Sequence, residues 1–146
     1  MATRREEDET AIRRQIGRIA EGIRTKDLDG LMRLYTPDVV SFDVEPPLQH
    51  AGVEAKLANW ARAFAFFEKA DYEIRGLSVT AGQDVAFGHG FGRLSGTLRD
   101  GTRTEGMWVR VTFGLRKLGG DWLITHDQVS VPFDMASGAG VVDLEP

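Results

Sequence analysis

The chain has 146 residues, the length of one ordinary domain, and 42% of them are hydrophobic, which excludes wholesale disorder. The formal net charge of −4 argues against a broad phosphate-binding surface, so no nucleic-acid partner is expected. Cysteine is absent, which excludes disulfides and thiolate catalysis and suits a reducing cytoplasm. No apolar run is long enough to span a bilayer, and the charged first residues lead into no apolar signal region, so we expect a cytoplasmic protein without a membrane partner.

Three helices are predicted in the first half of the chain. The first spans Glu6 to Lys26, because its isoleucines recur on one helical face and acidic residues crowd its first turns. The second is short, lies within KDLDGLMRLY (26–35), has Asp27 as its N-cap and stops at Thr36-Pro37. The third spans Val53 to Phe67 and is rich in aromatic residues, which is typical of a deeply buried helix.

Strands are predicted between and after these helices. Val39 to Asp43 is the first strand, and the two prolines of EPPLQHAG (45–52) place that segment in a loop. From Asp71 onward the apolar residues alternate, and turns that contain glycine separate the strand-like runs. These runs are DYEIRGLSV (71–79), DVAFGHGFGRLSGTL (84–98), TRTEGMWVRVTFGLRK (102–117) and DWLITHDQVSVPF (121–133).

The order of these elements predicts an α+β fold in a single domain, 1–146. Three N-terminal helices would pack in the concave face of a curved, mostly antiparallel sheet, whose last three strands form a meander. The glycines at 88, 90, 92 and 96 fit bends that let long strands curl into a cone around an internal cavity. We expect an ordered core from about residue 6 to residue 134 and a loosely held tail at 135–146.

Two motifs carry a resemblance to a known superfamily. The segment TKDLDGLMRLYTPDVVSFD (25–43) resembles the N-terminal signature of the nuclear-transport-factor-like, or cystatin-like, proteins, and WVRVTFGLRKLGGDWLITHDQVSVP (108–132) is similar to their C-terminal hairpin. The group includes ketosteroid isomerase, the SnoaL-like polyketide cyclases and the association domain of calcium/calmodulin-dependent kinase. The resemblance covers about residues 8 to 134 and implies the same cone-shaped fold, which hosts catalysts, binders and oligomerising domains alike.

The resemblance also implies a role for Asp43. This residue falls where ketosteroid isomerases carry the aspartate that takes a proton next to a carbonyl, while a tyrosine and a protonated aspartic acid hold the oxyanion. Ile19 stands at the position of that tyrosine, and the apolar run near Val109 stands at the position of the acid. Loss of even one such donor typically costs on the order of 100- to 1000-fold in rate, so authentic steroid isomerase activity is not expected.

From the residues alone, Asp43 has two interpretations. It is either a base in an apolar pocket, where desolvation raises the pKa of a carboxyl group, or a strand-end residue that binds the amides of the turn ahead of Glu45. A closed apolar cavity around Asp43 would favour catalysis, and a water-facing carboxylate would disfavour it.

Two histidines are further candidates for the catalytic site. His89 shares its strand parity with Phe87 and Phe91, so it is either a second polar group in the cavity or a core histidine. His126 and Asp127 point to opposite faces of a regular strand, and only one of them can enter the cavity unless a bulge intervenes. His126 is then either a proton shuttle near neutral pH or a hydrogen-bonding group at a dimer interface.

The two faces of the predicted sheet have different expected roles. One face and the third helix should line a ligand-binding cavity, with Phe42, Trp60, Phe64, Met107, Val109 and Asp127 as its candidate residues. The other face exposes a tryptophan, which favours association, so we expect a homodimer. The residues expected at this outer interface are Trp108, Arg110, Thr112, Gln128 and Ser130.

Two functions remain open at this point. The first is an enzyme that binds a small apolar, carbonyl-bearing ligand and shifts a proton with Asp43, helped by His89 or His126. Isomerisation, cyclisation and dehydration would all fit, and none of them needs a metal or an organic cofactor. The second is a noncatalytic homodimer that binds a small ligand or serves as an association domain.

Overall fold

The computed structural model describes all 146 residues. Helix α1 (Arg4–Thr25) begins with a capping box, and its four isoleucines are buried along one face, as their spacing predicts. Asp8 fastens this helix to the sheet, because its carboxylate accepts hydrogen bonds from Trp122 Nε1 at 3.1 Å and from Lys117 Nζ at 3.0 Å.

Helix α2 (Leu28–Met32) lies within its predicted range but is shorter. Asp27 is its N-cap, since the carboxylate accepts the Gly30 amide at 3.0 Å. The same carboxylate explains the glycine, because a Cβ at position 30 would lie only 2.3 Å from Asp27 Oδ2. Neither of these helices nor any other in the chain is long and apolar enough to cross a membrane.

The first two strands differ from the prediction. Strand β1 (Tyr35–Phe42) begins at Tyr35 rather than at Val39, because Tyr35 already pairs with Ile124. The proline inside β1 is accommodated where pairing with this parallel neighbour is interrupted. Strand β2 (His50–Ala51) lies in the segment predicted as a loop, since the chain returns after the two prolines to pair antiparallel with β1.

The remaining elements complete one large sheet. They are helix α3 (Val53–Phe66) and strands β3 (Phe67–Ala81), β4 (Val85–Leu98), β5 (Met107–Leu118) and β6 (Asp121–Ser130). The strand order is β2-β1-β6-β5-β4-β3, and only β1 and β6 run parallel. The predicted α+β class with helices in a curved, mostly antiparallel sheet is therefore confirmed. Beyond this sheet, β7 (Phe133–Asp134) and β8 (Ala139–Gly140) form a short hairpin where a loosely held tail was predicted.

A β-bulge in β6 decides which of its side chains face inward. Consecutive residues 114 and 115 of β5 pair with His126 and Ile124, so Thr125 is an extra residue in β6. Before the bulge Ile124 is buried, and after it the alternation changes phase, so that Asp127 is buried instead of His126. The bulge therefore selects Asp127 for the inner face.

The glycines of β4 face inward, where strand β3 lies close against them. A Cβ at Gly88 would lie 3.2 Å from the Ser78 carbonyl oxygen, and a Cβ at Gly92 would lie 2.1 Å from the Tyr72 hydroxyl. These positions leave little room for a side chain, and the larger residues that alternate with them project to the outer face. These outward residues are Phe87, His89 and Phe91.

Candidate functional site

The curved sheet and helices α1 and α3 line a partly open cavity of about 650 Å³. Helix α1 contributes Ile19, and strand β5 contributes Met107 and Val109. Most of the lining is apolar, and it includes the aromatic side chains Tyr35, Trp60, Phe66, Phe67, Tyr72 and Phe113. Such a cavity suits a small organic molecule, because ligand pockets typically measure roughly 300–1,000 Å³ and are mostly apolar.

A buried group of charges forms part of the cavity wall. We call it the carboxylate–lysine cluster; its members are Ser41, Asp43, Lys56 and Asp127. Lys56 Nζ lies 3.1 Å from Asp43 Oδ1 and 3.1 Å from Asp127 Oδ2, and it donates to Ser41 Oγ at 3.0 Å. The Ser41 hydroxyl in turn donates to Asp127 Oδ1. Lys56 and Asp127 are each only 2% exposed, so the two acids and the ammonium compensate one another away from water.

Three elements bring this cluster together. Ser41 lies near the end of β1 and pairs in parallel register with Asp127 of β6, which places their side chains side by side. Asp43 directly follows β1. Lys56 lies in the first turn of α3. The start of this helix is fixed to β1 by a hydrogen bond of 2.7 Å, which the Gly52 amide donates to the Val39 carbonyl oxygen.

The Asp43 carboxylate lies in the cavity wall and its side chain is 10% exposed. Its Oδ1 accepts a hydrogen bond from Lys56 at 3.1 Å, and its Oδ2 accepts one from Asn59 Nδ2 at 2.8 Å. No amide of the following turn donates to it. Of the two interpretations of Asp43, the structure therefore matches the cavity position and not the turn cap.

Burial and neighbouring charges set the protonation of the cavity groups. Burial by itself lowers the pKa of Lys56, but the negative charges of Asp127 and Asp43 outweigh it and the pKa is raised. Burial raises the pKa of Tyr35, and it raises the pKa of Tyr72 to about 12. At neutral pH the cavity therefore presents an ammonium and two uncharged phenols.

His50 is a buried polar residue beside the cluster that the sequence analysis did not single out. It is 5% exposed, and its Nε2 has no hydrogen-bond partner. This nitrogen lies 3.9 Å from Asp43 Oδ2, beyond hydrogen-bonding distance.

The other two histidines lie outside the cavity, and their expected positions are corrected. His89 is exposed on the outer face, because it alternates with the inward-facing Gly88 and Gly90 of β4. His126 is turned outward by the bulge; its Nδ1 lies 2.6 Å from the Val40 carbonyl oxygen. Its ring packs edge-on against Phe42 with centroids 4.8 Å apart. Neither imidazole reaches the cavity.

Only some of the residues that were expected to line the cavity do so. Four of them line the cavity: Trp60, Met107, Val109 and Asp127. Phe42 does not, because the inward direction at this end of β1 belongs to Ser41, and Phe42 is 37% exposed on the outer face. Phe64 is buried behind the wall, where it stacks on Trp60 with centroids 6.0 Å apart.

Several cavity residues escaped the sequence analysis. Lys56 is the clearest case, and its signal was present: it shares a helical stripe with Asn59 and Ala63, at spacings of three and four, and all three line the cavity. A lysine on an otherwise apolar helix face requires a buried counter-charge. Tyr35 was assigned to the end of a helix, and Tyr72 gave no signal beyond the alternation of its strand.

Helices packed in a curved antiparallel sheet around an aromatic cavity define the NTF2-like, or cystatin-like, class of α+β proteins. The chain belongs to the SnoaL-like domain family, which matches residues 12–134. The family resemblance of the two motifs is thus confirmed.

Solved structures agree with this assignment. An NTF2-like protein of unknown function from Pseudomonas putida KT2440 is 31% identical, covers 96% of this chain and 97% of its own, and gives a TM-score of 0.86. A candidate dehydratase of the NTF2-like family from Streptomyces avermitilis is 16% identical over 86% of this chain and 97% of its own, with a TM-score of 0.77. A candidate scytalone dehydratase from Novosphingobium aromaticivorans is 12% identical over 84% of this chain and 83% of its own, with a TM-score of 0.74. No protein of curated function matches the sequence.

Proposed function

We propose that this protein binds a small apolar compound bearing a carbonyl group and transfers a proton from the carbon next to that carbonyl, with Asp43 as the general base. One observation carries the proposal. The Asp43 carboxylate lies in the wall of a mostly apolar cavity that also receives both tyrosines of the chain. A base and neutral hydrogen-bond donors in one mostly apolar cavity suit enolisation.

The contacts of Asp43 fix the orientation of its carboxylate and leave it able to accept a proton. Lys56 fixes one carboxylate oxygen and Asn59 fixes the other. Each carboxylate oxygen has two lone pairs and uses one of them here, so each retains a lone pair for an incoming proton. Fixed orientation of this kind lowers the entropic part of the barrier.

Lys56 acts through its charge and not as a nucleophile. Its raised pKa keeps it an ammonium, whereas formation of a Schiff base with a carbonyl needs a free amine. The ammonium compensates the negative charges of Asp43 and Asp127, which are otherwise too costly to bury in an apolar wall.

The two tyrosines supply hydrogen-bond donors that the sequence analysis found missing. Their phenols stay protonated, because burial raises both pKa values. Either hydroxyl can donate to the carbonyl oxygen as negative charge develops on it, and one such donor is typically worth on the order of 100- to 1000-fold in rate. The two tyrosines lie in β1 and β3. Ile19 and Val109, which stand at the positions of the donors in ketosteroid isomerases, lie in α1 and β5.

The proton and electrons of the proposed reaction balance without a co-reactant. Asp43 takes the proton, and the electrons of the broken C–H bond form the carbon–carbon double bond of an enolate whose oxygen is held by a tyrosine. Return of the proton to another carbon completes an isomerisation. Transfer of the proton to a hydroxyl group in the β position expels water and completes a dehydration. Two structural neighbours are candidate dehydratases, so β-hydroxy ketones are the first compounds to test.

Ligand binding without catalysis is the second candidate function. One observation favours it: both oxygens of Asp43 already accept hydrogen bonds from the protein, as expected of a structural carboxylate. The same cavity would then bind a similar ligand, and Asp43 would not remove a proton from it.

The test is deuterium exchange followed by proton NMR. Wild-type protein is incubated in heavy water with a panel of aryl ketones and β-hydroxy ketones, β-tetralone among them, and loss of the proton signal next to the carbonyl is timed. We expect exchange above the buffer rate, and at least about 100-fold slower exchange with Asp43→Asn. Asp38→Asn is the matched control, because it makes the same chemical change at an exposed position of β1, the strand that Asp43 directly follows.

Saturation-transfer NMR on the same samples separates the two candidate functions. Binding without exchange in the wild type favours the ligand-binding function. Equal exchange rates in wild type and Asp43→Asn remove Asp43 from the mechanism. Exchange that is lost in both Asp variants points to a general effect of charge.

A further inference from the structure

A row of three polar residues runs along helix α3 on the side that lines the cavity. Lys56, Asn59 and Arg62 recur at intervals of three residues, which places them on neighbouring turns of the helix. All three line the cavity. Lys56 is buried at one end of the row, and Arg62 is exposed at the other. The row therefore leads from the buried charges of the cavity wall to the surface of the protein.

Hydrogen bonds join this row to the Asp43 carboxylate. Arg62 Nη2 donates to Asn59 Oδ1 at 3.0 Å, and Asn59 Nδ2 donates to Asp43 Oδ2 at 2.8 Å. Lys56 Nζ donates to the other carboxylate oxygen at 3.1 Å. One helix thus holds both oxygens of the proposed base, and the amide of Asn59 connects one of them to Arg62.

The contact with Arg62 decides which way the Asn59 amide faces. The oxygen and the nitrogen of an amide are similar in size, so hydrogen-bond partners determine its orientation. A guanidinium can only donate, and an ionised carboxylate can only accept. Rotation of the amide by half a turn would place its oxygen against Asp43 and its NH₂ group against Arg62. The two charged neighbours therefore favour the same orientation, and loss of Arg62 removes one of them.

The Arg62 side chain has no competing partner within the chain. Its hydrogen bond to Asn59 is the only one that it makes. Glu45 and Glu105 also line the cavity, but no carboxylate lies within salt-bridge distance of the guanidinium. The one contact of this arginine is thus with the residue that holds the proposed base.

We propose that Arg62 is a positioning residue: through Asn59 it fixes the orientation of the Asp43 carboxylate and so the direction of the lone pair that accepts the proton. This role rests on the proposed function, because it makes Arg62 part of the action of Asp43 as the base. Fixed orientation of a reacting group lowers the entropic part of the barrier. Loss of Arg62 should therefore slow the chemical step and leave binding of the ligand unchanged.

The first experiment is a double-mutant cycle in the deuterium-exchange assay. Arg62→Met removes the donor, and we expect kcat to fall about three- to tenfold, as for loss of one hydrogen bond, with KM unchanged. In the Asn59→Ala background the same substitution should change kcat by less than about twofold, because no amide remains to be oriented. Arg62→Lys keeps a donor at this position and should retain most of the rate.

Arg14→Met is the matched control. It removes the charge of an exposed helical arginine that makes no hydrogen bond and lies outside the cavity, so kcat should not change. A rise in KM alone with Arg62→Met would show that Arg62 binds the ligand directly. Equal losses of kcat with and without the Asn59 side chain would show that Arg62 acts independently of it. Either result overturns the proposal.

The second experiment tests the hydrogen bonds without any substrate. Asn59 is the only asparagine of the chain, so selective ¹⁵N-asparagine labelling isolates its side-chain amide in NMR spectra. We expect one amide proton to exchange slowly with water, and to exchange at least about threefold faster in Arg62→Met but not in Arg14→Met. An unchanged rate in Arg62→Met overturns the proposal. If the wild type shows this dependence but removes no proton from any ketone, the hydrogen bonds are supported and the proposed function is rejected.

Discussion

The inner and outer faces of the sheet each carry an ion pair of the same length in very different surroundings. Lys56 Nζ lies 3.1 Å from Asp43 inside, and an Arg75 nitrogen lies 3.0 Å from Glu73 outside. The inner side chains are 3% and 10% exposed, and the outer ones 50% and 46%. Water screens the outer pair, whereas loss of either inner partner leaves a buried charge without compensation. Bond length therefore does not indicate which cation the fold requires.

The sharpest test of this contrast removes each cation in turn. Lys56→Met leaves Asp43 and Asp127 buried without their counter-charge, and we expect the free energy of unfolding to fall by about 3–5 kcal/mol. Arg75→Met should lower it by less than about 1 kcal/mol. Urea unfolding followed by circular dichroism measures both. Similar losses for the two variants would show that the inner cluster is better solvated than its burial indicates.

Alkaline pH tests the inner face by titration. The chain has only two tyrosines, and burial raises the pKa of Tyr35 and raises the pKa of Tyr72 to about 12, against about 10 in an unfolded chain. Because the folded state keeps its phenol protons longer, the stabilisation is complete below about pH 10 and is lost as the pH rises toward about 12. The raised pKa of Lys56 acts in the same direction.

We therefore expect the Tyr72 phenol alone to lower the free energy of unfolding by about 3 kcal/mol across this interval, and Tyr35 to act in the same direction. Tyrosinate absorbance should appear together with loss of the native circular dichroism signal. Tyr72→Phe should make the fall less steep. Tyrosinate that forms near pH 10 in a protein still folded would contradict burial of these phenols.

A matched pair of glycine substitutions compares the crowded inner face with an open helix surface. Gly92→Ala would place a Cβ 2.1 Å from the Tyr72 hydroxyl, so Tyr72 must move, and we expect a loss of about 1–3 kcal/mol. Gly17→Ala in α1 meets nothing within 4 Å and should stabilise the protein by about 0.5–1 kcal/mol. Melting temperatures that shift in the same direction would contradict this account of the β4 glycines.

The smallest effect is expected at the outer histidine. His89→Gln changes an exposed side chain that makes no hydrogen bond within the protein, so neither the melting temperature nor the deuterium exchange rate should change measurably. A slower exchange rate in this variant would restore His89 as a participant in the chemistry.

Local signals were sufficient to predict most of the fold. The isoleucine spacing of α1, the cap at Asp27 and the alternation of β5 are each properties of a few neighbouring residues, and the structure agrees with them. The exception is Trp108, which was expected to be exposed on the outer face and is only 8% exposed, with Arg75 and Arg93 over its ring. Strand β2 could not be found in this way, because two residues following a proline turn carry no periodicity and pair only when β1 is already in place.

The candidate site was predictable only in part. It depends on which residues of each strand face inward and on contacts between residues that are far apart in the sequence. Asp43 was placed by its resemblance to a family, and the structure puts it in the cavity. The choice between His126 and Asp127 depended on Thr125, which is extra only relative to the pairing of β5. The outward position of His89 depended on how closely β3 approaches the inward glycines of β4, a distance that no sequence pattern encodes.

The extra residue in β6 has an evolutionary consequence. Deletion of a single codon at position 125 would remove the bulge and leave every later residue of β6 opposite its present partner, because His126 already pairs with Gly114 and Asp127 with Phe113. The acid would keep its place next to Lys56, and the imidazole would stay on the outer face. The gene can therefore lose this codon while the order of inward and outward groups is conserved.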